Sequence, residues 1–100
     1  MSSLAQTFAE DRRRIILVAL HEGAQGASEK VLLHVTEDVG HNPTPEQIRA
    51  DIKFLADNNL LRVEKHNETR GEIWIAHLLP AGRQVAKGAA HPGVAERELF

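Results

Sequence analysis

The hydrophobic period of this chain changes once, at Asn58-Asn59, and that change limits the fold more than any other feature. Upstream, apolar residues recur at helical spacing. Downstream, Leu60-Leu61-Arg62-Val63-Glu64-Lys65 alternates, and Glu72-Ile73-Trp74-Ile75-Ala76-His77-Leu78 does so in part. The two periods each bury one face, so the chain reads as helices followed by two strands. The polar stretch His66-Asn67-Glu68-Thr69-Arg70-Gly71 lies between the alternating runs and predicts an antiparallel hairpin with a longish tip. A hairpin alone is marginal in water, so it has to lean on the helices.

Three helices are predicted before the hairpin. The first runs from 3 to about 22. Ser3 followed by Gln6 matches a capping box, and Leu4, Phe8, Ile15, Val18 and Ala19 form one stripe. Asp11 lies on that stripe, so either the helix breaks there or the stripe narrows. Residues 15–20 are apolar all round and should be buried on several faces, with the glycines at 23 and 26 ending the segment. A second helix starts after the N-cap Ser28, carries Val31, Leu32, Val35 and Val39, and stops at Gly40. The third has the clearest signature. Thr44-Pro45-Glu46-Gln47 supplies a capping Thr, a Pro at the first helical position and a Gln to complete the box. Ile48, Ile52, Leu55 and Ala56 are its buried stripe. Pro80 opens a short fourth helix that Gly88 closes, and residues 89–100 are expected to be a poorly ordered tail beyond a domain spanning 1–88.

Composition narrows the functional classes. One hundred residues hold one modest core. With no cysteine, disulfide scaffolds, thiolate metal sites and cysteine nucleophiles are excluded. The apolar run at 15–20 is far too short to span a membrane, and the first residues lack signal-peptide character, so a cytoplasmic protein is expected. Six histidines, at 21, 34, 41, 66, 77 and 91, include no pair at the i,i+4 spacing of a helical metal site. Neither a phosphate-binding glycine loop nor a nucleophile elbow occurs, so no enzyme, cofactor or metal is expected.

Helix, turn, well-capped helix and hairpin make the order of a winged helix-turn-helix, mainly α with a small β-hairpin. The segments Ala9-Glu10-Asp11-Arg12-Arg13, Gly40-His41, Ile48-Arg49-Ala50-Asp51-Ile52, Phe54-Leu55-Ala56, Asn59-Leu60 and Ile73-Trp74-Ile75-Ala76 resemble a family of small winged-helix proteins of Mu-like phages and prophages. Automatic naming places that family near ArsR-type transcriptional regulators. The resemblance covers about 3 to 88. It implies a phage DNA-binding protein that acts as a transcriptional regulator.

In such a fold the third helix reads the major groove and the wing touches the backbone. Opposite the buried stripe stand Glu46, Ala50, Lys53 and Asp57, with Gln47 and Arg49 at the flanks. Arg can fork onto guanine and Gln onto adenine, while Lys53 can hold phosphate. Lys65 and Arg70 are the wing's candidates. Phe54, off the main stripe, and the lone Trp74 are candidates for an interface with the wing, a second subunit or another protein. Arg12-Arg13-Arg14 fans over about 200° and reads as surface salt bridges, with phosphate contact the sharper alternative.

The net charge of −2 sets a condition. Residues 1–43 contribute −2, the third helix (44–59) −1, the hairpin (60–79) 0 and the end (80–100) +1. A near-neutral reading surface binds duplex DNA only if geometry separates Arg49, Lys53, Lys65 and Arg70 from their acidic neighbours. A homodimer through the first and last helices would present two reading helices. The competing expectation is a protein-interaction module, or an accessory to phage DNA packaging or assembly.

Overall fold

A computed structural model describes residues 3–97 and contains four helices and a three-stranded antiparallel sheet in a winged-helix-like arrangement. Helix α1 (Leu4–Glu22) starts at Ser3, whose hydroxyl accepts the Gln6 backbone N–H. It is unbroken at Asp11. That residue stays on the buried stripe because its Oδ2 lies 2.6 Å from Nε2 of His41, in the turn after the second helix. Helix α2 (Glu29–Asp38) is capped by the Ser28 hydroxyl. It ends in a Schellman turn, in which the Gly40 N–H donates to Glu37 O and the His41 N–H to Thr36 O. Gly40 sits at φ +101°, where a side chain would be strained.

Helix α3 (Pro45–Asp57) has the full capping box: Gln47 N–H donates to the Thr44 hydroxyl and Gln47 Oε1 accepts from Thr44 N–H. Asn59 ends it at φ +60°, with the Leu60 N–H turned back to Leu55 O. This connection aims the chain directly into β2 (Leu61–Glu68), which pairs with β3 (Gly71–Leu78). Glu68 pairs with Gly71, so the loop is Thr69-Arg70 alone. The tip is therefore much tighter than its polar composition suggests, and the strands absorb His66 to Glu68.

A strand that hydrophobic periodicity does not reveal completes the sheet. Strand β1 (Gly26–Ser28) pairs along the free edge of β3, giving the order β1-β3-β2. Gly26 is needed for close approach, since a Cβ there would lie 2.9 Å from His77 Nδ1. The added strand protects an edge that a two-stranded wing would leave open.

One sheet face carries Ala27, Leu61, Val63, Ala76 and Leu78 onto the helices. There they meet Ile16, Leu17 and Leu20 of α1, Leu32 of α2, and Ile48, Ile52 and Leu55 of α3. Helix α4 (Pro80–Ala86) adds Val85.

The expectation of a loose tail is corrected for residues 89–97. Val94 joins the core at 7% exposure, and the Ala95 N–H donates to Glu10 O. Arg13 Nη1 also donates to Gly93 O at 2.9 Å. This segment lacks helical or strand periodicity, but one buried valine and the backbone hydrogen bonds at Gly93 and Ala95 are enough to dock it. The end of the tail, 98–100, lies outside the described residues.

Candidate nucleic-acid interface

The three arginines of α1 are scaffold rather than surface. Arg12 Nε donates to Asp51 Oδ2 at 2.6 Å, and Arg13 Nε to Asp51 Oδ1 at 3.2 Å. Asp51, on the inner side of α3, has a side chain only 1% exposed. Burial pushes its carboxyl up, against the pull of both guanidiniums. Arg14 Nη1 reaches the backbone oxygens of Val85 and Ala95. The expected surface salt bridges are thus a buried network pinning α3, α4 and the tail to α1. The spread of successive residues around a helix is what lets each arginine serve a different neighbour.

Helix α3 presents Gln47, Ala50 and Lys53 outward, all exposed. The Gln47 oxygen is occupied by the helix cap. Lys53 pairs with Asp57 at 2.8 Å, but both side chains are more than half exposed, so the pair holds weakly and opens easily.

Arg49 differs. Its Nε and Nη2 grip the Glu29 carboxylate at 2.9–3.1 Å, and Nη2 donates to Glu72 O at 2.7 Å. Its guanidinium carbon also lies 4.7 Å from the Trp74 ring centroid. The hydrogen bond to Glu29 raises its pKa further. Arg49 thus joins α2, α3 and β3, and its side chain is one-third exposed.

Lys65, opposite Trp74 in the ladder, places Nζ 4.6 Å from the same ring. Arg70 is exposed at the wing tip beside an open cleft of about 540 Å³. Glu29, Lys30, Glu68 and Glu72 share the lining of that cleft. The geometry therefore brings Arg49, Lys65 and Trp74 together, while Lys53 pairs with Asp57 and Arg70 lines the cleft at the wing tip.

Phe54 is partly buried against the core and packs on α1 and the docked tail. Arg13 lies over its ring at 4.0 Å, His91 meets it edge-on, and Gly93 packs so closely that a Cβ would fall 2.4 Å from Phe54 Cζ. Trp74 is half-buried between the core and its two cations, and its indole N–H donates to Glu72 Oε1. Among the described residues the exposed large hydrophobics are instead Leu4 and Val31.

Glu29 and Lys30 carry no site signal in the sequence. Read along the chain they are ordinary first-turn residues of α2. Only the pairing of Ser28 with Ile75 brings them against the wing.

The other face of the sheet carries Arg62, Glu64, His66, Ile73, Ile75 and His77. Glu64 contacts Nε2 of His77 at 2.9 Å and Nε2 of His66 at 2.5 Å. These bonds, His77 first, hold its carboxyl below the usual range. A carboxylate with a lowered folded pKa adds stability above its unfolded value and loses it as pH falls through the folded value. Urea midpoints of the native chain and Glu64→Gln should therefore differ at neutral pH and converge below the ordinary Glu value of about 4.3. A constant difference across that range would rule out this linkage.

Among the described residues no group of three His, Asp or Glu side chains is arranged to hold a metal ion, and no helix is long and apolar enough to cross a membrane. No protein-family model matches the chain. Over 81 residues it is 35% identical to the uncharacterized protein gp26 of Escherichia phage Mu, a stretch covering 81% of this chain and 80% of the relative.

Proposed function

We propose, from the premise that the chain belongs to the Mu-like phage protein family that includes gp26, that it is a winged-helix protein binding duplex DNA as a regulator in the phage cycle. One observation carries this reading. Helix α3 is docked by Ile48, Ile52 and Leu55, leaving Gln47, Ala50 and Lys53 exposed beside a wing of two eight-residue strands that bears Lys65 on β2 and Arg70 in its loop. Helix α3 enters the major groove, with Gln47 and Ala50 near base edges, and Lys53, Lys65 and Arg70 on phosphates. Arg49 does not read a base; it ties the helix to the wing. ArsR-type metal sensing forms no part of the proposal.

The charge arrangement supports binding with few phosphate contacts. Lys53, Lys65 and Arg70 would give a salt slope of roughly −3 per protomer, since each phosphate contact contributes about −0.9. In a mobility-shift assay with phage DNA, or with duplexes selected from a random pool, Lys53→Ala or Arg70→Ala should each weaken binding. Each should also flatten the slope by about 0.9. A folded protein that shifts no duplex at low salt would refute the proposal.

That result would favour the second reading, a protein-interaction or packaging-accessory module. Its support is the local charge balance: Lys30 and Arg70 share the cleft lining with Glu29, Glu68 and Glu72, Arg49 pairs with Glu29, and Lys53 pairs with Asp57.

A further inference from the structure

We propose that the notch between α3 and the wing is a DNA-phosphate site that Glu29 fills in the unbound chain. This inference rests on the duplex-binding reading. Three N–H groups from two elements converge on the Glu29 carboxylate. Arg49 Nε and Nη2 donate to Oε1 at 3.1 and 2.9 Å, while Arg49 Nε and the Trp74 backbone N–H both donate to Oε2 at 3.0 Å. A guanidinium fork beside a backbone N–H is the donor set that a phosphodiester's oxygens need.

The carboxylate also stands where strand pairing stops. Ser28 pairs with Ile75, and the next residue of β3, Trp74, gives its N–H to the Glu29 side chain instead of to a strand. The site is thus preformed, and its present occupant is a flexible side chain.

Further cations surround it. Lys65 stands at the Trp74 ring, and Lys30 and Arg70 line the adjoining cleft. Glu29 itself lines that cleft, so its side chain can swing outward when a phosphate arrives. Glu72 and Glu68 on the rim keep the site weak for a lone anion. Docking of α3 in the groove is what presents the phosphate at high local concentration.

In the native chain, the cost of breaking the Glu29 pair offsets the new bond from Arg49 to phosphate, so Arg49→Ala alone should change duplex affinity little. Glu29→Gln keeps an oxygen for the Trp74 N–H but removes the competing charge. It should bind duplex several-fold tighter, with a salt slope steeper by about 0.9. Adding Arg49→Ala to Glu29→Gln should erase that increase.

Emission of Trp74, the lone tryptophan, supplies a readout that needs no variant: it should change when the native chain binds duplex. Unchanged emission on binding overturns the proposal. So does a Glu29→Gln variant that binds no tighter, or a tightening that survives loss of Arg49; either leaves the duplex-binding reading intact. Millimolar inorganic phosphate that perturbs Trp74 of Glu29→Gln as fully as duplex does would assign the notch to a free anion and overturn the DNA assignment. Absence of duplex binding by every variant overturns both readings.

Discussion

Asp51→Ala is expected to destabilise the chain by about 3–5 kcal/mol, the range for removing one partner of a buried ion pair. A domain of this kind has roughly 5–15 kcal/mol in total, so the variant should be partly unfolded at room temperature. The loss comes less from the missing attraction than from what stays behind. The Arg12 side chain is 9% exposed and that of Arg13 17%, so both guanidiniums remain desolvated without their shared carboxylate. Asp51→Asn should be nearly as harmful, because it preserves shape while leaving the same two charges unmatched. Asp57→Ala is the control on the same helix. Its pair with Lys53 is largely exposed, and its loss should stay within about 0.5 kcal/mol. Urea unfolding at neutral pH separates these outcomes. A loss under about 1 kcal/mol for Asp51→Ala would mean that the arginines reach water or another acid, contrary to the network described. The structural consequence follows from position: Asp51 lies on the inner side of α3, and without it the ion pairs that pin α3 to α1 are lost, leaving only the apolar contacts of Ile48, Ile52 and Leu55.

The parts of the fold that were legible in the sequence are those that short segments determine alone. Ser28 and Thr44-Pro45-Glu46-Gln47 place helix starts because capping satisfies orphan N–H groups within one turn. Gly40 and Asn59 place helix ends because few residues adopt a positive φ cheaply. In the stripe expected for α3, Ile48, Ile52 and Leu55 are buried and Ala56 only partly so; in those expected for α1 and α2, Leu4 and Val31 are exposed, and Ile16, Leu17 and Leu20 carry the burial of α1 instead.

The illegible parts depend on partners far apart in the chain. Strand β1 is only Gly-Ala-Ser, with little strand preference, and exists because β3 offers an unpaired edge. Asp11 and Asp51 look like isolated acids until the fold brings His41 and the arginines against them, 30 and 38–39 positions away. The candidate site divides in the same way. A helical wheel correctly turns Ala50 and Lys53 outward, but it cannot show that Arg49 is held by Glu29, 20 positions earlier. The charge condition set by the sequence is thus met in part: Lys65 and Arg70 make no ion pair among the described residues, Lys53 is loosely held, and Arg49 is neutralised.

Gly82→Ala should be the second large effect, and its cause is packing rather than backbone conformation. A Cβ on Gly82 would stand 2.1 Å from the Leu60 carbonyl oxygen and 2.9 Å from Leu78 Cδ1. The oxygen cannot yield easily, because it already accepts the Leu79 N–H that starts the α4 segment. Adding one methyl group therefore has to lift α4 away from the start of β2. The expected cost is about 1–3 kcal/mol, the usual range for overpacking a filled core. Lifting α4 also withdraws Val85 from the core and its carbonyl from Arg14, so damage should spread to the contact with α1.

Gly88→Ala is the informative comparison. Gly88 has φ +123° and nothing within 4 Å of its Cβ position, so substitution there strains the backbone without displacing a helix. Thermal unfolding with hydrogen exchange of the α4 amides distinguishes the two. Gly82→Ala should lower the melting temperature and expose the α4 amides. Gly88→Ala should lower it while leaving amides within α4 protected until global unfolding. Native stability in Gly82→Ala would require that α4 does not rest on the start of β2. Because α4 docks beside the turn that joins α3 to β2, Gly82 also fixes where the wing begins relative to α3.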